Sequence, residues 1–175
     1  YFLSTTGKKS TFESMWNRVM IGLGSNLGNK KDNIISACQS IGHLGEMVQI
    51  SSLYETAAWG FNSENVFYNA CVEIRTELEP GALLAELKRI EDNLGRERST
   101  AGYADRKIDL DILFFDNLIV ETSELVIPHP RMAERKFTLF PLNELDTNYM
   151  HPKFKSTVNE LLNLCLDSTQ IKRID

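Results

Sequence analysis

Two aspartates spaced two residues apart are the side chains in this sequence whose arrangement most directly indicates chemistry. Asp109 and Asp111 lie within 106–113, a segment that otherwise reads as a buried β-strand. Residues i and i+2 of a strand point to the same face, about 6.6 Å apart, so the two carboxylates should converge while the apolar residues between them face the other way. A divalent cation would relieve their mutual repulsion. Oxygen ligands without Cys or His alongside suit Mg²⁺ rather than zinc.

Three arginines lie just upstream of the acidic pair, at Arg96, Arg98 and Arg106. A guanidinium group can bind two phosphate oxygens at once, and phosphoryl-transfer sites combine such groups with carboxylate-bound Mg²⁺. The spacing of the acids alone is also compatible with a solvent-facing edge strand whose charges discourage aggregation. The neighbouring arginines make a phosphoryl-transfer site the favoured interpretation.

Length and composition predict one soluble domain. The chain has 175 residues, of which 42% are hydrophobic and 25% charged, and no apolar run approaches the roughly 20 residues of a membrane span, so no membrane association is expected. The net charge of −5 argues against a general nucleic-acid binder, because a basic face supplies most of such a protein's affinity. Three separated cysteines without a C-x-x-C spacing predict a reducing, cytoplasmic environment and no structural zinc.

Periodicity of the apolar residues gives the order of the elements. Residues 1–18 are polar and without a clear period, so they are interpreted as an N-terminal extension or an added segment, and 19–175 as a single domain. Strands are predicted over 19–24, 47–54, 67–77 and from about 106, and helices from about 29 to 44 and from 80 to 94. The strand at 67–77 alternates between a buried and a wetter face.

The resulting βαββαβ order predicts an α+β, ferredoxin-like fold, in which two helices pack on one face of an antiparallel sheet. Segments 137–145 and 158–166 are expected to be covering helices. The connectors 57–66 and 96–105 are expected to move when substrates bind, because closing lids exclude water from reactive phosphates. The glycines of Gly22-x-Gly24-x-x-x-Gly28 match neither a P-loop nor a dinucleotide fingerprint and predict a tight strand-to-helix turn.

Several separate motifs resemble the 6-hydroxymethyl-7,8-dihydropterin pyrophosphokinase family. They are Gly-Ser-Asn-Leu-Gly at 24–28, Phe-Tyr-Asn-Ala at 67–70, Arg-Ile-Glu-Asp-Asn-Leu-Gly-Arg-Glu-Arg at 89–98, Arg-x-x-Asp-x-Asp at 106–111, and Ile-Pro-His at 127–129 with Arg135 and Phe137 beyond. The resemblance covers about 19–145. It implies a ferredoxin-like fold and a monomer that uses ATP with two Mg²⁺ ions. The implied reaction transfers diphosphate from ATP to the hydroxymethyl group of the pterin, giving AMP and the pterin diphosphate in folate biosynthesis.

The resemblance also implies roles for individual residues. Asp109 and Asp111 are similar to the family's metal-binding aspartates, and Arg96 and Arg106 join them as expected catalytic residues. The residues expected to bind ATP are Glu91, Arg98, Arg106, Ile112, His129 and Arg135. Those expected to bind the pterin are Thr56, Gly60, Phe67, Asn69, Tyr103 and Phe137, with the bicyclic ring sandwiched between Phe67 and Phe137. Planar stacking and an amide that both donates and accepts suit a pterin.

Two departures from the family pattern and two rival interpretations remain open. The family commonly has Gly-Pro where this chain has Ala104-Asp105, and Tyr is frequent at the position of Phe67; these differences concern loop closure and pterin affinity. On residue type alone, the two phenylalanines are as compatible with core packing and His129 with bracing a loop. A non-catalytic ferredoxin-like binding module and a different nucleotidyl- or phosphoryl-transferase are the rivals, and release of AMP rather than ADP separates the latter.

Overall fold

An antiparallel sheet forms the centre of the molecule. The structure, a computed structural model, describes residues 16–95 and 104–174. The strands are β1 (Asn17–Ser25), β2 (Glu46–Ile50), β3 (Tyr54–Thr56), β4 (Phe67–Thr76), β5 (Asp109–Phe115), β6 (Val120–Glu121), β7 (Val126–Ile127) and β8 (Lys172–Arg173). The helices are α1 (Lys30–Ile41), α2 (Pro80–Asn93), α3 (Lys136–Leu145) and α4 (Val158–Leu164), with a 3₁₀ turn at Met132–Glu134.

The sheet order is β5-β1-β4-β3-β8, every neighbouring pair is antiparallel, and β2 also pairs with β4. β6 and β7 form a separate hairpin. With β1 between β4 and β5, this is the arrangement expected of a split βαβ fold. The predicted α+β, ferredoxin-like class is confirmed.

The segment predicted as one strand over 47–54 is two strands, and this prediction was wrong. At the break, the backbone N–H of Ser51 donates to the carbonyl of Cys71, and the Ser51 hydroxyl accepts from the Cys71 N–H, both at 2.9 Å. Glu144 of α3 accepts a hydrogen bond from the Tyr54 hydroxyl at 2.9 Å on the far side of the break. Contacts distant in sequence therefore interrupt a strand that local periodicity left continuous.

Helices cover both faces of the sheet, which gives three layers. One face packs against α1 and α2 through Val19, Ile21, Val72, Ile74, Ile34, Ile41, Leu83 and Leu87. The opposite face packs against α3 and α4 through Met20, Cys71, Phe114, Leu139, Leu142, Val158 and Leu161. The wetter face predicted for 67–77 is therefore wrong at Asn69 and Glu73, which are each 4% exposed because this part of the face is covered, whereas Arg75 is exposed as predicted.

A β-bulge at Leu113 changes the alternation of β5. Asp111 pairs with Gly22 in register, whereas Phe114 pairs with Met20, so Leu113 is the extra residue. Leu113 and Phe114 consequently both pack on the α3 and α4 face. The strand thus carries polar residues at its start and a fully apolar second half.

Local signals account for the helix ends. The Asn29 side chain caps α1 by accepting from the Asp32 N–H, and Thr157 and Glu160 form a reciprocal capping box at α4. α2 begins at Pro80, and the chain turns at Gly95 with φ +82°, as predicted. Across residues 16–95 and 104–174, no helix has the length and apolar character needed to cross a membrane.

β1 begins at Asn17, two residues before the predicted start of the first strand at residue 19. Arg18 lies in β1, and its guanidinium donates to both carboxylate oxygens of the buried Glu73 at 2.8 Å and to Asp146 at 2.9 Å. This contact ties β1 and β4 to the end of α3. Asn17 and Arg18 therefore belong to the domain rather than to an extension.

Candidate active site

The two acids at the start of β5 face one cavity. Asp109 and Asp111 both line it, whereas the intervening Leu110 and the following Ile112 are at most 5% exposed and lie in the core on the opposite face. The predicted convergence of the carboxylates is therefore confirmed. The cavity opens where the end of β1 meets the starts of β4 and β5.

Two glycines of β1 form the floor of this cavity. Gly24 pairs with Asp109 on one side and Asn69 on the other, and Gly22 pairs with Asp111 and Cys71. A Cβ atom at Gly24 would lie 3.3 Å from the Asn69 amide oxygen. Because Gly22 and Gly24 have no side chains, space remains between the two aspartates and the Asn69 amide. Sequence reasoning assigned these glycines to a turn, although their i, i+2 spacing on β1 could have indicated this role.

Arg106 holds Asp109 from the chain just before β5. Its Nη1 lies 2.7 Å from the Asp109 carboxylate, and the two side chains are 15% and 25% exposed. The buried Asn26 fixes the main chain of Arg106, since its amide oxygen accepts from the Arg106 N–H at 2.7 Å and its own N–H donates to the Arg106 carbonyl at 3.1 Å. The Gly-Ser-Asn-Leu-Gly motif therefore positions the residue that contacts the acid.

His129 lies beside the second acid. Its Nε2 is 3.9 Å from Asp111 Oδ2, while its Nδ1 accepts from the Arg131 N–H at 3.2 Å, which places the ring proton on Nε2. Burial, followed by the positive charges of Arg135 and Arg131, lowers the pKa of His129 to about 4. A neutral imidazole thus presents an N–H donor toward the acidic end of the cavity at neutral pH.

Aromatic and polar side chains line the other end of the cavity. Phe67, Asn69, Thr56 and Phe137 all line it, as the sequence prediction requires. Asn69 Nδ2 donates to Thr56 Oγ1 at 3.0 Å, which fixes the orientation of a side chain only 4% exposed. The amide oxygen of Asn69 consequently faces Gly24.

The 57–66 loop contributes two aromatic residues that sequence reasoning missed. Trp59 lies edge-on to Phe137 at a centroid distance of 6.5 Å, and Phe61 lies edge-on to Phe67 at 6.2 Å. The Arg135 guanidinium also lies over Trp59, 4.7 Å from the ring centroid. Each of the two residues predicted to sandwich the ring is therefore packed against an aromatic residue of the loop. The presence of two large aromatic residues in an otherwise polar, glycine-containing loop was the sequence signal that could have indicated this role.

The other predicted site residues that the structure describes lie at varying distances from the cavity lining. Arg135 lines the cavity at 6% exposure, and Gly60 lies between Trp59 and Phe61 with φ +78°. Glu91 is 4% exposed and accepts from the backbone N–H of Leu110 at 2.7 Å, so it fixes the start of β5 from α2.

The side chain of Ile112, like that of Glu91, does not line the cavity, since it is buried in the core on the α1 and α2 face. Any nucleotide contact there would use its main chain. Arg96, Arg98 and Tyr103, with most of the 96–105 connector, lie outside the described residues.

No cluster of three or more His, Cys, Asp or Glu side chains suited to a metal occurs among the residues described. Two converging carboxylates next to a cavity fit ions whose other ligands come from a bound molecule, as is usual for Mg²⁺ on nucleotide phosphates. The donor set therefore fits Mg²⁺ held jointly with a polyphosphate rather than a closed protein cage.

Comparison with known proteins adds sequence relatives that span most of the chain. A family model described as 7,8-dihydro-6-hydroxymethylpterin-pyrophosphokinase matches residues 20–147. The 2-amino-4-hydroxy-6-hydroxymethyldihydropteridine pyrophosphokinase of Aquifex aeolicus is 34% identical over 142 residues, which are 81% of this chain and 88% of that protein. The Bacillus subtilis protein of the same name is 41% identical over 133 residues, covering 75% of this chain and 79% of that protein.

Longer proteins contain a similar segment. The folic acid synthesis protein FOL1 of Dictyostelium discoideum is 37% identical over 149 residues, and this chain spans only 22% of its length. Among solved structures, wild-type HPPK-DHPS of Plasmodium falciparum superposes with a TM-score of 0.69 at 18% identity, over 85% of this chain and 44% of that one. At that identity the superposition supports the fold alone.

Proposed function

This chain belongs to the 7,8-dihydro-6-hydroxymethylpterin-pyrophosphokinase family, and we propose that it transfers diphosphate from ATP to the hydroxymethyl group of 6-hydroxymethyl-7,8-dihydropterin with Mg²⁺. The family establishes pyrophosphokinase chemistry in folate biosynthesis. The dependence on ATP and Mg²⁺ and the roles of single residues are the parts proposed. They are supported by an acidic end and an aromatic end that share one cavity.

Asp109 and Asp111 would hold the Mg²⁺ ions, two of them in the proposal. Bound Mg²⁺ would neutralise phosphate charge and lower the pKa of the attacking hydroxyl group. Arg106 supplies positive charge beside Asp109, at 2.7 Å. When nucleotide binds, the guanidinium would exchange this contact for phosphate oxygens, to which it can donate in pairs.

His129 and Arg135 complete the proposed nucleotide end. The Nε2 of His129 lies 3.9 Å from Asp111, and its N–H can donate to a phosphate oxygen. Arg135 lines the cavity with its guanidinium over Trp59 and Phe137, so it would reach the nucleotide from the aromatic side. Phosphates next to a buried imidazole favour its protonated form, so nucleotide binding should raise the pKa of His129. Arg96 and Arg98 are proposed as further phosphate contacts on the resemblance alone.

The aromatic end would orient the pterin. Phe67 and Phe137 offer faces for offset stacking, and Asn69, held by Thr56, offers an acceptor and a donor to the edge of the ring. Gly24 leaves the space that a planar ring needs between Asn69 and Asp109. The hydroxymethyl group would therefore point along the sheet toward the acids.

The proposed reaction is one in-line displacement. The pterin hydroxyl oxygen forms a bond to the β-phosphorus of ATP, the bond from that phosphorus to the α-phosphate oxygen breaks, and AMP leaves. The hydroxyl proton passes to solvent, since no general base is assigned. The protein contributes mainly positioning and charge stabilisation, as in other phosphoryl transfers.

The proposal depends on one observation: the two aspartates, the two glycines of β1 and the aromatic residues Phe67 and Phe137 all line the same cavity. Incubation with ATP, Mg²⁺ and 6-hydroxymethyl-7,8-dihydropterin should produce AMP and pterin diphosphate in equal amounts. Formation of ADP would identify an ordinary kinase. Release of neither nucleotide, in a protein whose cavity binds ATP with Mg²⁺, would contradict the assignment.

A further inference from the structure

Asp105, which stands at one of the positions where this chain departs from its family's pattern, connects the 57–66 loop to the turn that follows β1. Its carboxylate accepts three hydrogen bonds: from Ser63 Oγ at 2.6 Å, from Asn65 Nδ2 at 2.7 Å and from Asn26 Nδ2 at 2.7 Å. Ser63 and Asn65 lie in the 57–66 loop, whereas Asn26 follows β1. A single carboxylate therefore joins the loop to the turn after the central strand.

The contacts continue from Asp105 to the acidic pair. Asn26 donates from its side-chain amide to Asp105. Its side-chain oxygen also accepts from the Arg106 main-chain N–H at 2.7 Å, and its main-chain N–H donates to the Arg106 carbonyl at 3.1 Å. Arg106 in turn donates to Asp109 at 2.7 Å. A continuous series of hydrogen bonds thus runs from the loop that carries Trp59 to the first of the two acids.

The charge of Asp105 suits this position. All three contacts on its carboxylate are donors, and the Ser63 hydroxyl is the first cause of a pKa held below its usual range. Asn26 is only 3% exposed, so its amide has few alternative partners. A neutral amide at 105 would present an NH₂ group to at least one of the two asparagine donors, and a proline there would accept none of them.

We propose that Asp105 is a positioning residue that latches the 57–66 loop over the pterin end of the cavity and couples its closure to the placement of Arg106 beside Asp109. The proposal rests on the function proposed above. A latch that holds the loop in place before the pterin binds would reduce the ordering that binding requires. Loss of the latch should therefore weaken pterin binding more than ATP binding.

Hydrogen exchange of the ligand-free protein tests the latch without any substrate. Asp105→Asn should speed amide exchange in peptides covering 57–66 by about threefold or more, while α2 exchanges as in the wild type. Glu64→Gln is the matched control, because it removes one negative charge from an exposed position of the same loop. Equal exchange of the loop in the wild type and both variants would overturn the proposal.

Steady-state AMP formation then tests the consequence for substrates. Asp105→Asn should raise the KM for the pterin alcohol about tenfold, the equivalent of one or two net hydrogen bonds, and change the KM for ATP less than threefold. Asp105→Glu should restore part of the loss, since it keeps an anionic acceptor. An equal rise in both KM values, or no recovery with glutamate, would contradict a latch that acts mainly at the pterin end of the cavity.

A double-mutant cycle separates the latch from general destabilisation. If Asp105 acts through Ser63, the variant carrying Asp105→Ala and Ser63→Ala should be no worse in pterin KM than Asp105→Ala alone. Fully additive effects would refute a shared latch. If the wild-type protein formed no AMP, the proposed function would fail, and the exchange experiment would still decide whether the latch exists.

Discussion

Replacing Asp109 by asparagine is the sharpest test of the acidic pair. The substitution keeps the shape of the side chain and one oxygen that can accept from Arg106, whose Nη1 lies 2.7 Å from the present carboxylate. It removes the negative charge and weakens a hard metal ligand. We therefore expect a large loss of turnover with little loss of stability.

The two expected losses differ enough to be told apart. An exposed or partly buried ion pair that retains a neutral hydrogen bond costs about 1 kcal/mol when its charge is removed, a small part of the roughly 5–15 kcal/mol that stabilises a typical domain. Removal of one preorganised group that stabilises transition-state charge typically costs about 100- to 1,000-fold in kcat, or roughly 3–4 kcal/mol. Asp109→Asn should therefore be folded and nearly inactive.

The assay is AMP release at saturating ATP and pterin over a Mg²⁺ titration, with urea unfolding of the same samples. Glu121→Gln is the control, because Glu121 lies 2.7 Å from Lys153 Nζ in an ion pair that does not line the cavity. It should leave kcat unchanged. Near-normal turnover of Asp109→Asn at saturating Mg²⁺ would show that this carboxylate does not hold the metal.

Three further predictions concern the floor of the cavity, its loop and the fold. Gly24→Ala should weaken pterin binding about tenfold in calorimetry, because its methyl group would crowd the pterin-binding amide at 3.3 Å, whereas Gly81→Ala, which meets nothing within 4 Å, should not. In a Trp16→Phe protein, Trp59 is the remaining tryptophan, and its fluorescence emission should change when the pterin alcohol binds. An emission spectrum that is unchanged after subtraction of the pterin's own absorption and fluorescence would contradict the position of Trp59 in the site. Burial lowers the pKa of His151 to about 4 from 6.5, so the unfolded state binds a proton first and stability should fall by roughly 3 kcal/mol as pH drops from 6.5 to 4. In urea unfolding, His151→Gln should make the loss of stability over this pH range smaller, while the contribution of His129 remains; an unchanged slope would exclude His151.

The sequence predicted the parts of the site that follow from local alternation. The i, i+2 spacing of Asp109 and Asp111 placed both on one face because a strand has a period of two, and the apolar residues between them set which face is core. The end of α2 near Gly95 was predictable for the same kind of reason, since a left-handed turn favours glycine. These features depend on residues close together in the chain.

Features that depend on distant contacts were not predictable in this way. The break between β2 and β3 is held by Cys71 and by Glu144, which lies about 90 positions later. Burial of the second face of β4 depends on α3 and α4, whose docking position no periodicity of β4 encodes. The packing of Trp59 on Phe137 likewise joins a loop to a helix far along the chain. Tertiary contacts rather than local preference determine all three.

The short C-terminal strand has a practical consequence for anyone who shortens this protein. β8 pairs with β3 through Arg173 and Lys172, and the Ile174 N–H donates to the Leu53 carbonyl at 2.9 Å. Removing these residues would leave backbone donors and acceptors of β3 open, in a protein whose neighbouring strand β2 already carries Ile50 at 50% exposure. An uncovered edge next to an apolar side chain invites strand addition between molecules. Truncated versions ending before 172 should therefore precipitate at concentrations that the longer chain tolerates.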